Sequence, residues 1–273
     1  MVEKKVYCFA SEYFSYIDDL NYIPVALGDK SFPNNWVRDN TGKNISHKNS
    51  YYDMYTFHYW LWKNHLENIK DKTWIGFCTY RRFWKKNREE ITTNSELFKE
   101  NILNEIPEEW KDYDVILPEK LYFKKLKKIK IIKNSPKFLL KNPSYIFSNK
   151  EHSINTHFDI FQGENLLKRS LKYLGNDEKK DFEEYLNNNY FYPWNLFFCK
   201  SKILLEKYYS SVFEWLFKCE NEFGFTLLKG YQTKRIYSYL AERYLSYWFE
   251  KYSKFTTWPI LFLDKDTQLK LKN

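Results

Sequence analysis

Residues 74–84 of this 273-residue chain read Trp-Ile-Gly-Phe-Cys-Thr-Tyr-Arg-Arg-Phe-Trp, and this stretch decides the class of fold. Its apolar half, Trp74–Cys78, has the length of a strand buried on both faces, as in a mostly parallel sheet. Ligands of such sheets bind outside the carboxyl ends of the strands. Arg81 and Arg82 follow that end, and guanidinium groups bind phosphate oxygens in bidentate pairs. The stretch therefore predicts an anion site. The alternative is that both arginines are solvated or paired with nearby acids.

Apolar, strand-like runs alternate with helical patterns on both sides of this stretch, which predicts an α/β fold. Further strands are expected at residues 4–10, 22–27, 113–118 and 192–200. Helices are expected from a capping box at Ser50 and Asp53 to residue 64 or 69, then at about 93–106, 177–189, 202–222, and after a cap at Thr226. The chain has no internal repeat and no clear linker, so we expect a single domain over residues 1–273.

The composition excludes a disordered chain and locates most of the net charge. Hydrophobic residues make up 43% and aromatic residues 21%, which is ample surface for a core. Of the formal net charge of +9, the segment from Glu119 to Lys141 carries nine lysines against one glutamate, or +8, which leaves +1 for the rest. The protein is therefore near neutral with one basic segment, and a partner for that segment concerns one surface only.

The four cysteines are not spaced like metal ligands, and most lie in apolar strand-like runs. We therefore expect buried free thiols in a reducing compartment. The amino end lacks the apolar stretch of a signal peptide, and no apolar run is long enough to span a bilayer. These patterns predict a cytoplasmic protein. Peripheral attachment to the inner face of the cytoplasmic membrane is an added hypothesis.

Two polar stretches stand out as binding candidates. The loop from Arg38 to Ser46 contains Gly42, one of only seven glycines, which suggests a positive φ or a close approach to a ligand. The loop is not a phosphate-binding P-loop, because the required glycine and lysine spacing is absent. Lys63 and Asn64 end the helix before the central strand, where core packing explains them less well than it explains the aromatic residues beside them.

Several short motifs, in this order along the chain, carry a resemblance to a known family. They are Asp39–Ser46 with Lys48 and Asn49, Tyr59–Asn64, Ile75–Phe83, Tyr113–Pro118, His157, Asn195–Phe198 with Lys200, and Ala241–Arg243. With these motifs the chain resembles a family of bacterial capsular-polysaccharide and lipopolysaccharide glycosyltransferases, long catalogued as a domain of unknown function. Some members of that family are assigned as galactofuranosyltransferases. One departure is that Thr79 stands where the family usually has histidine.

The resemblance implies a single GT-A-like domain with a mostly parallel central sheet flanked by helices and a helical carboxyl-terminal part. Residues 1–118 would bind the nucleotide diphosphate sugar, with UDP the expected nucleotide, and residues 150–273 would bind the acceptor. The expected reaction is an inverting transfer of galactofuranose or another hexose to a lipid-linked or oligosaccharide acceptor of a capsule or O-antigen. The basic segment at 119–141 would lie between these halves.

The resemblance also bears on the metal. GT-A enzymes usually hold a divalent ion with an Asp-x-Asp motif at the end of the central strand, where this chain has Thr79–Arg82. We therefore favour a reaction without a metal cofactor, in which Arg81 and Arg82 neutralise the diphosphate leaving group. The alternative is Mg²⁺ or Mn²⁺ held by Asp39 or Asp114 alone.

Site residues follow from both lines of argument. His157 is the first candidate for the base that takes the acceptor proton, since its reference pKa is near neutral. Asp159 and Glu242 are the other candidates; Asp159 could instead orient His157, and Glu242 could simply form a helix ion pair with Arg243. The residues expected to bind substrate are Asp39, Asn40, Gly42, Asn44, Lys63, Asn64, Thr79, Tyr80, Arg81, Arg82, Asn195 and Arg243.

The basic segment from Lys120 to Lys141 mixes lysines with apolar residues, a combination that suits an anionic membrane surface. The alternative is a solvated segment with its lysines in water. Binding of single-stranded nucleic acid is the less favoured rival, because the chain contains no zinc motif, RNP-like pattern or helix-turn-helix signal. A catalytically inactive scaffold of a polysaccharide complex is a further rival.

Overall fold

The computed structural model describes residues 2–89, 97–123, 140, 152–226, 228 and 231–264. The chain divides into two compact units. The first contains residues 1–119, 194–210 and 249–273, and the second contains residues 120–193 and 211–248. The boundary after residue 119 falls beside the expected end of the donor-binding part at residue 118. The expectation of a single domain stays a prediction.

A nine-stranded sheet forms the centre of the first unit, in the order β10-β6-β9-β4-β1-β2-β3, with β5 paired to β4 and β11 paired to β5. The β1, β2, β3 and β4 strands are mutually parallel, as are β6 and β10, and β9 runs antiparallel between β4 and β6. The predicted mostly parallel α/β sheet is confirmed. The strands are β1 (Lys4–Ala10), β2 (Ile23–Ala26), β3 (Val37–Arg38), β4 (Trp74–Thr79), β5 (Arg82–Trp84), β6 (Val115–Pro118), β9 (Phe198–Cys199), β10 (Phe255–Trp258) and β11 (Ile260–Phe262).

The central strand β4 is buried along its whole length, as its continuous apolar sequence predicts. Gly76 lies against the ring of Phe198 on β9, and a Cβ atom at Gly76 would collide with that ring. The absence of a side chain at Gly76 therefore makes room for the aromatic core on that face of the sheet. This core includes Trp74, Trp84, Trp110, Phe198 and Trp258.

The helices of the described residues are α1 (Ser15–Asp18), α2 (Asn49–Tyr52), α3 (Tyr55–Asn64), α4 (Phe98–Asn101), α5 (Ile154–Phe161), α6 (Leu166–Ser170), α7 (Asn176–Tyr185), α8 (Lys202–Phe223), α9 (Tyr231–Lys234) and α10 (Ile236–Tyr252). The second unit also contains a two-stranded sheet of β7 (Leu121–Tyr122) and β8 (Tyr190–Phe191). The helix predicted at 202–222 is confirmed by α8, and the one predicted at 177–189 is present as α7 but ends at Tyr185. No described helix is both long enough and apolar enough to cross a membrane.

Two predicted helix starts are wrong. Ser50 lies inside the short helix α2, and Asp53 has a φ of 51°, so the two residues do not form a capping box. The reason is that the chain breaks at Asp53 and α3 begins afresh after Met54, which makes no side-chain cap. Thr226 does not cap the last long helix either, because α10 begins only at Ile236. Of the helix expected at 93–106, the described residues contain only the short α4.

All four cysteines are buried and free, as the sequence predicts. Burial raises the pKa of the Cys199 thiol to about 12, so this group stays protonated at neutral pH. All four thiols therefore belong to the buried core.

Candidate functional site

The carboxyl ends of four parallel strands lie level at one edge of the large sheet. The register pairs Ala10 of β1 with Ala26 of β2, Ala26 with Arg38 of β3, and Phe9 of β1 with Thr79 of β4. This is the edge at which open α/β sheets bind their ligands. The segments that leave the sheet there are 11–14, 27–30, 39–48 and 80–81.

A cavity of about 410 Å³ opens at this edge, beside the ends of β2 and β3. The Asp39 side chain is 4% exposed, and its Oδ2 atom has no hydrogen-bond partner among the described residues. Burial raises the pKa of Asp39, while the Thr56 hydroxyl, the backbone N–H of Asp39 and the charge of Arg38 act in the opposite direction. An unpartnered buried oxygen is costly, which makes Asp39 the candidate acceptor for a ligand in this cavity. The lining residues are Gly28, Asp29, Arg38, Asp39, Asn40, Ser46 and His47.

The loop beyond this cavity is fastened to α3 by Asn64. The Asn64 side chain donates to the carbonyl groups of Lys43 (2.9 Å) and Trp60 (2.8 Å), and its oxygen accepts from the Lys43 N–H (3.0 Å). Gly42 has a φ of +54°, and a Cβ atom there would collide with the Asn64 amide. Gly42 is therefore required for the loop to pack on Asn64, and Asn64 supports the loop rather than facing the cavity directly.

Two other predicted binding residues also have partners within the chain. Asn44 accepts from the Ser46 hydroxyl (2.9 Å) and donates to the Gly42 carbonyl (3.0 Å), which closes a turn in the loop. The Lys63 ammonium group lies 3.1 Å from the centre of the Trp62 ring on the exposed side of α3. These contacts give Asn44 and Lys63 structural explanations, and their contact with substrate stays a prediction.

The end of β4 brings Thr79 and Tyr80 to the same edge of the sheet. Thr79 pairs with Arg82 where the chain turns back into β5, and its buried hydroxyl has no hydrogen-bond partner among the described residues. The Tyr80 ring stacks on Phe14 at 4.6 Å, and the Tyr80 carbonyl accepts a hydrogen bond from the Tyr16 hydroxyl. The turn between β4 and β5 is thus stabilised by contacts with the segment that follows β1. These contacts determine the position of the backbone that carries the two arginines.

The two arginines of this turn have different surroundings. The Arg81 guanidinium lies 5.6 Å from the centre of the Tyr80 ring, and its Nε atom has no hydrogen-bond partner among the described residues. The Arg82 guanidinium lies between two aromatic rings, 5.0 Å from Trp194 and 5.6 Å from Phe262. Both side chains are half-buried. Both guanidinium groups therefore lie near the carboxyl end of β4, and their binding of an anion stays a prediction.

A second turn reaches this edge from a distant part of the sequence. β9 runs antiparallel to β4, and the Phe77 N–H donates to the Phe197 carbonyl (3.0 Å). Continuing this register brings Asn195 level with Thr79 at the end of β4. Trp194 and Asn195 have φ values of 74° and 57°, which are unusual for residues with side chains. Asn195 was predicted from the sequence. Trp194 was not, and its place after Pro193 was the only signal.

In the second unit, His157 lies within α5. Its ring packs against Phe123 at 4.2 Å and Phe161 at 4.8 Å. Burial, followed by the charges of Arg243 and His152, lowers the pKa of His157 to about 3. The imidazole is therefore neutral at physiological pH, and its buried Nδ1 atom has no hydrogen-bond partner among the described residues.

The suggestion that Asp159 orients His157 is wrong. The Asp159 carboxylate accepts a hydrogen bond from the backbone N–H of Asn165 (2.9 Å), the residue that precedes α6. Asn165 has a φ of 61°, so Asp159 stabilises a left-handed turn. The physical reason is helix geometry: residues two positions apart on α5 point in nearly opposite directions.

Glu242 and Arg243 form an ion pair inside the second unit. Both are buried, at 8% and 1% exposure, and Arg243 donates to Glu242 through a short hydrogen bond. The Arg243 guanidinium also lies 3.8 Å from the centre of the Phe191 ring. The helix ion pair that the sequence offered as the alternative for Glu242 is therefore present. The predicted roles of Glu242 as a base and of Arg243 in binding stay predictions.

The two carboxylates considered as single metal ligands lie at opposite edges of the sheet. Asp39 follows β3, whereas Asp114 precedes β6, and both strands run in the same direction. Asp114 is therefore at the amino edge, away from the candidate site, which corrects its assignment as a possible ligand there. Within the described ranges, no three histidine, cysteine or acidic side chains are grouped closely enough to hold a metal ion.

Most of the basic segment lies outside the described residues, so the structure describes only its beginning and Leu140. The Lys120 ammonium group lies 3.7 Å from the centre of the Tyr190 ring. Leu121 and Tyr122, the two residues of β7, are 43% and 53% exposed. The segment therefore begins with exposed apolar side chains in the second unit.

The fold is that of a known glycosyltransferase structure. The chain is similar to the structure entitled "WbbM bifunctional glycosytransferase apo structure", with a TM-score of 0.70 and 17% sequence identity. The similarity covers 96% of this chain and 46% of that one, so this chain spans about half the length of that protein. The chain belongs to the family described as "Domain of unknown function (DUF4422)", whose sequence model matches residues 5–254. No curated protein matched the chain.

Proposed function

We propose that the chain is a glycosyltransferase that takes a sugar from a nucleoside diphosphate donor at the carboxyl edge of the large sheet. The proposal depends above all on Asp39, which lines the cavity and whose buried Oδ2 atom has no hydrogen-bond partner among the described residues. Such an acceptor suits the N–H of a nucleobase or the hydroxyl groups of a ribose. The fold likeness to a protein entitled a glycosyltransferase supports the same class of reaction.

The separation between the cavity and the arginines fits such a donor. The strands β2 and β4 lie on either side of β1, so their ends are roughly 10 Å apart at the usual strand spacing. A nucleoside diphosphate extends over a comparable distance from its base to its phosphates. A nucleoside in the cavity would therefore bring its diphosphate to Arg81 and Arg82.

Arg81 and Arg82 would then stabilise the diphosphate as it leaves the sugar. Negative charge develops on the leaving group in glycosyl transfer, and fixed positive charges stabilise it without a metal. We therefore propose a metal-independent reaction, with a bound Mg²⁺ or Mn²⁺ ion as the alternative. Activity that is lost in EDTA and restored by Mn²⁺ would establish the alternative.

In the second unit, His157 stays our candidate for the base that takes the acceptor proton, and Glu242 is the second candidate. Asp159 stays a further candidate, although its carboxylate also accepts a hydrogen bond from the backbone N–H of Asn165. Replacing a catalytic base lowers turnover by roughly 10²–10⁴-fold. A histidine with a pKa of about 3 is a weak base, so His157→Ala should fall toward the lower end of that range.

We further propose that the donor is a UDP-linked hexose, such as UDP-galactofuranose. The sugar would be transferred with inversion to a lipid-linked glycan of a capsule or O-antigen. Family resemblance is the basis for the sugar, the inversion and the acceptor. The basic segment and the exposed β7 residues Leu121 and Tyr122 are consistent with work at an anionic membrane surface.

A thermal-shift panel of nucleoside diphosphates and their sugars tests the donor. A ligand at 100 times its dissociation constant stabilises a protein by about 2.7 kcal/mol, so one nucleotide should raise the melting temperature by several degrees. UDP and UDP-hexoses are the expected hits. A panel with no hit would contradict the proposal and favour a non-catalytic scaffold.

The arginines are tested by Arg81→Ala and Arg82→Ala. Each variant should weaken binding of the stabilising nucleotide by roughly tenfold or more, because a charge-assisted hydrogen bond to phosphate is lost. Lys70→Ala is the matched control, since it removes one exposed positive charge just before β4, at the opposite edge. If the arginine variants bind the nucleotide as tightly as this control does, Arg81 and Arg82 do not bind its diphosphate.

A further inference from the structure

The Arg82 guanidinium is held in place by an aromatic ring that comes from a distant part of the sequence. It lies 5.0 Å from the centre of Trp194 and 5.6 Å from the centre of Phe262, both within the range of cation–π attraction. Phe262 is directly opposite Arg82 in the pairing of β11 with β5. One ring from a turn and one from a strand therefore restrict one flexible side chain.

The backbone at Trp194 adopts an unfavourable conformation where its ring contacts Arg82. Its φ is 74°, and the φ of the next residue, Asn195, is 57°, so two consecutive residues with side chains adopt left-handed values. For a bulky aromatic residue this is a clear outlier, and such strain is found most often at functional sites. The Asn195 side chain is buried at 4% exposure, which anchors the turn on the sheet.

The consequence is a difference between two adjacent arginines. Within the described part of the chain, the ring recorded over Arg81 is that of Tyr80, the preceding residue. Arg82 has Trp194, from the turn before β9, and Phe262, from β11, and both lie in the same unit. Holding a guanidinium in advance reduces the entropy lost when it binds an anion.

We propose that Trp194 is a positioning residue that fixes the Arg82 guanidinium for the diphosphate of the donor. The inference rests on the proposed function, since it assigns a role at the same site. The strained turn at Trp194 and Asn195 holds the indole against Arg82, while Arg81 supplies the more adaptable of the two charges. Phe262 forms the second wall.

The test measures UDP binding and inorganic pyrophosphate binding by calorimetry for four proteins: wild type, Trp194→Phe, Trp194→Leu and Arg82→Ala. Trp194→Leu should weaken both ligands roughly tenfold, because the cation–π contact is lost. Trp194→Phe keeps a ring and should stay within about threefold of wild type. With UDP-hexose as donor, Trp194→Leu should raise KM more than it lowers kcat.

The double variant Trp194→Leu with Arg82→Ala separates positioning from a general loss of structure. If Trp194 acts through Arg82, the double variant should bind UDP no worse than Arg82→Ala alone. The inference would be overturned if the double variant lost UDP affinity by the sum of the two single losses. It would also be overturned if Trp194→Leu bound UDP normally while Arg82→Ala bound it weakly. Either result would leave the proposed function intact. Normal UDP binding by Arg82→Ala would overturn both the inference and the arginine assignment. Failure of the wild type to bind any nucleotide would instead refute the proposed function.

Discussion

At the residue scale, the most informative side chains are those whose burial conflicts with their polarity. Asp39 and His58 are almost fully buried, and each has a polar atom without a hydrogen-bond partner among the described residues. Asp39 lines a cavity, whereas the His58 ring packs among aromatic residues beneath α3. The same desolvation cost therefore has two explanations: we propose ligand binding for Asp39, and core packing accounts for His58.

Replacing Asp39 with asparagine should separate binding from stability. The change removes a buried charge that desolvation disfavours, so the free energy of unfolding should stay constant or rise by about 1 kcal/mol. Nucleotide affinity should fall roughly tenfold, since an amide accepts a hydrogen bond less strongly than a carboxylate. Asp29→Asn is the control, as Asp29 is an exposed residue of the same cavity. If Asp39→Asn and Asp29→Asn bind the nucleotide with equal affinity, the assignment of Asp39 to the binding site is wrong.

The pH dependence of stability should report on His58. Its Nδ1 atom bonds the Tyr209 hydroxyl at 2.8 Å, and burial lowers its pKa to about 3. The unfolded chain binds a proton below about pH 6.5, whereas the folded protein does not until about pH 3. Stability is thus complete above pH 6.5 and falls by about 1.4 kcal/mol per pH unit below it.

Urea unfolding of wild type between pH 7 and pH 5 would measure this slope. In the double variant His58→Phe/Tyr209→Phe, the pH dependence of the free energy of unfolding should be smaller by about 1.4 kcal/mol per pH unit, because the titrating imidazole is gone. Tyr209→Phe alone keeps the histidine and should keep the slope. An unchanged slope in the double variant would mean that the His58 pKa is not depressed. His157, whose pKa is also about 3, should add a similar slope of its own.

At the scale of elements, the central strand β4 connects the core to the site. Its buried residues continue directly into Thr79 and the turn that carries the two arginines. Its neighbours β1 and β9 bring the Tyr80 contact and the Trp194 turn to the same edge. Any change that displaces β4 should therefore affect stability and binding together.

Gly76→Ala tests how tightly β4 is packed. The new methyl group would collide with the ring of Phe198, so we expect the free energy of unfolding to fall by about 3 kcal/mol. Gly175→Ala is the control, because no atom lies within 4 Å of a Cβ there, and it should change stability by about 0.5 kcal/mol or less. Adding Phe198→Leu to Gly76→Ala should recover part of the loss. A loss no larger than that of the control would show that β9 can move away freely.

At the scale of the whole molecule, charge is concentrated in one segment of the sequence. The segment from Glu119 to Lys141, with nine lysines and one glutamate, accounts for +8 of the formal net charge of +9. Such a distribution leaves the rest of the protein without strong attraction to an anionic surface. Membrane association, if present, should therefore depend on that segment alone.

Liposome sedimentation tests this membrane hypothesis. Wild type should bind vesicles of anionic lipid at low salt and be released by high salt, since each lysine contributes about 1 kcal/mol near the surface. Replacing Lys124, Lys125, Lys127 and Lys128 with glutamine should abolish binding. Glutamine at four exposed lysines elsewhere, Lys30, Lys70, Lys99 and Lys111, is the charge-matched control and should have little effect. If both variants lose vesicle binding equally, binding depends on the total charge of the protein and not on this segment.

The amino-acid sequence by itself determined the α/β class, the central strand, the two long helices and the buried thiols. These features depend on hydrophobic periodicity, which is local in the chain and survives into the fold. It also predicted the two arginines at the end of β4 and Asn195. It failed at Ser50 and Thr226, because a capping pattern does not reveal whether the chain breaks at Asp53 or the helix starts later.

Only the tertiary structure decided which polar residues are available. It assigned Asn64 to the loop at Gly42, paired Glu242 with Arg243, and separated Asp159 from His157. It also brought Trp194 against Arg82, although more than a hundred residues separate them in the sequence. The physical reason is that strand order and register determine these contacts, and neither is encoded in the local pattern of either strand.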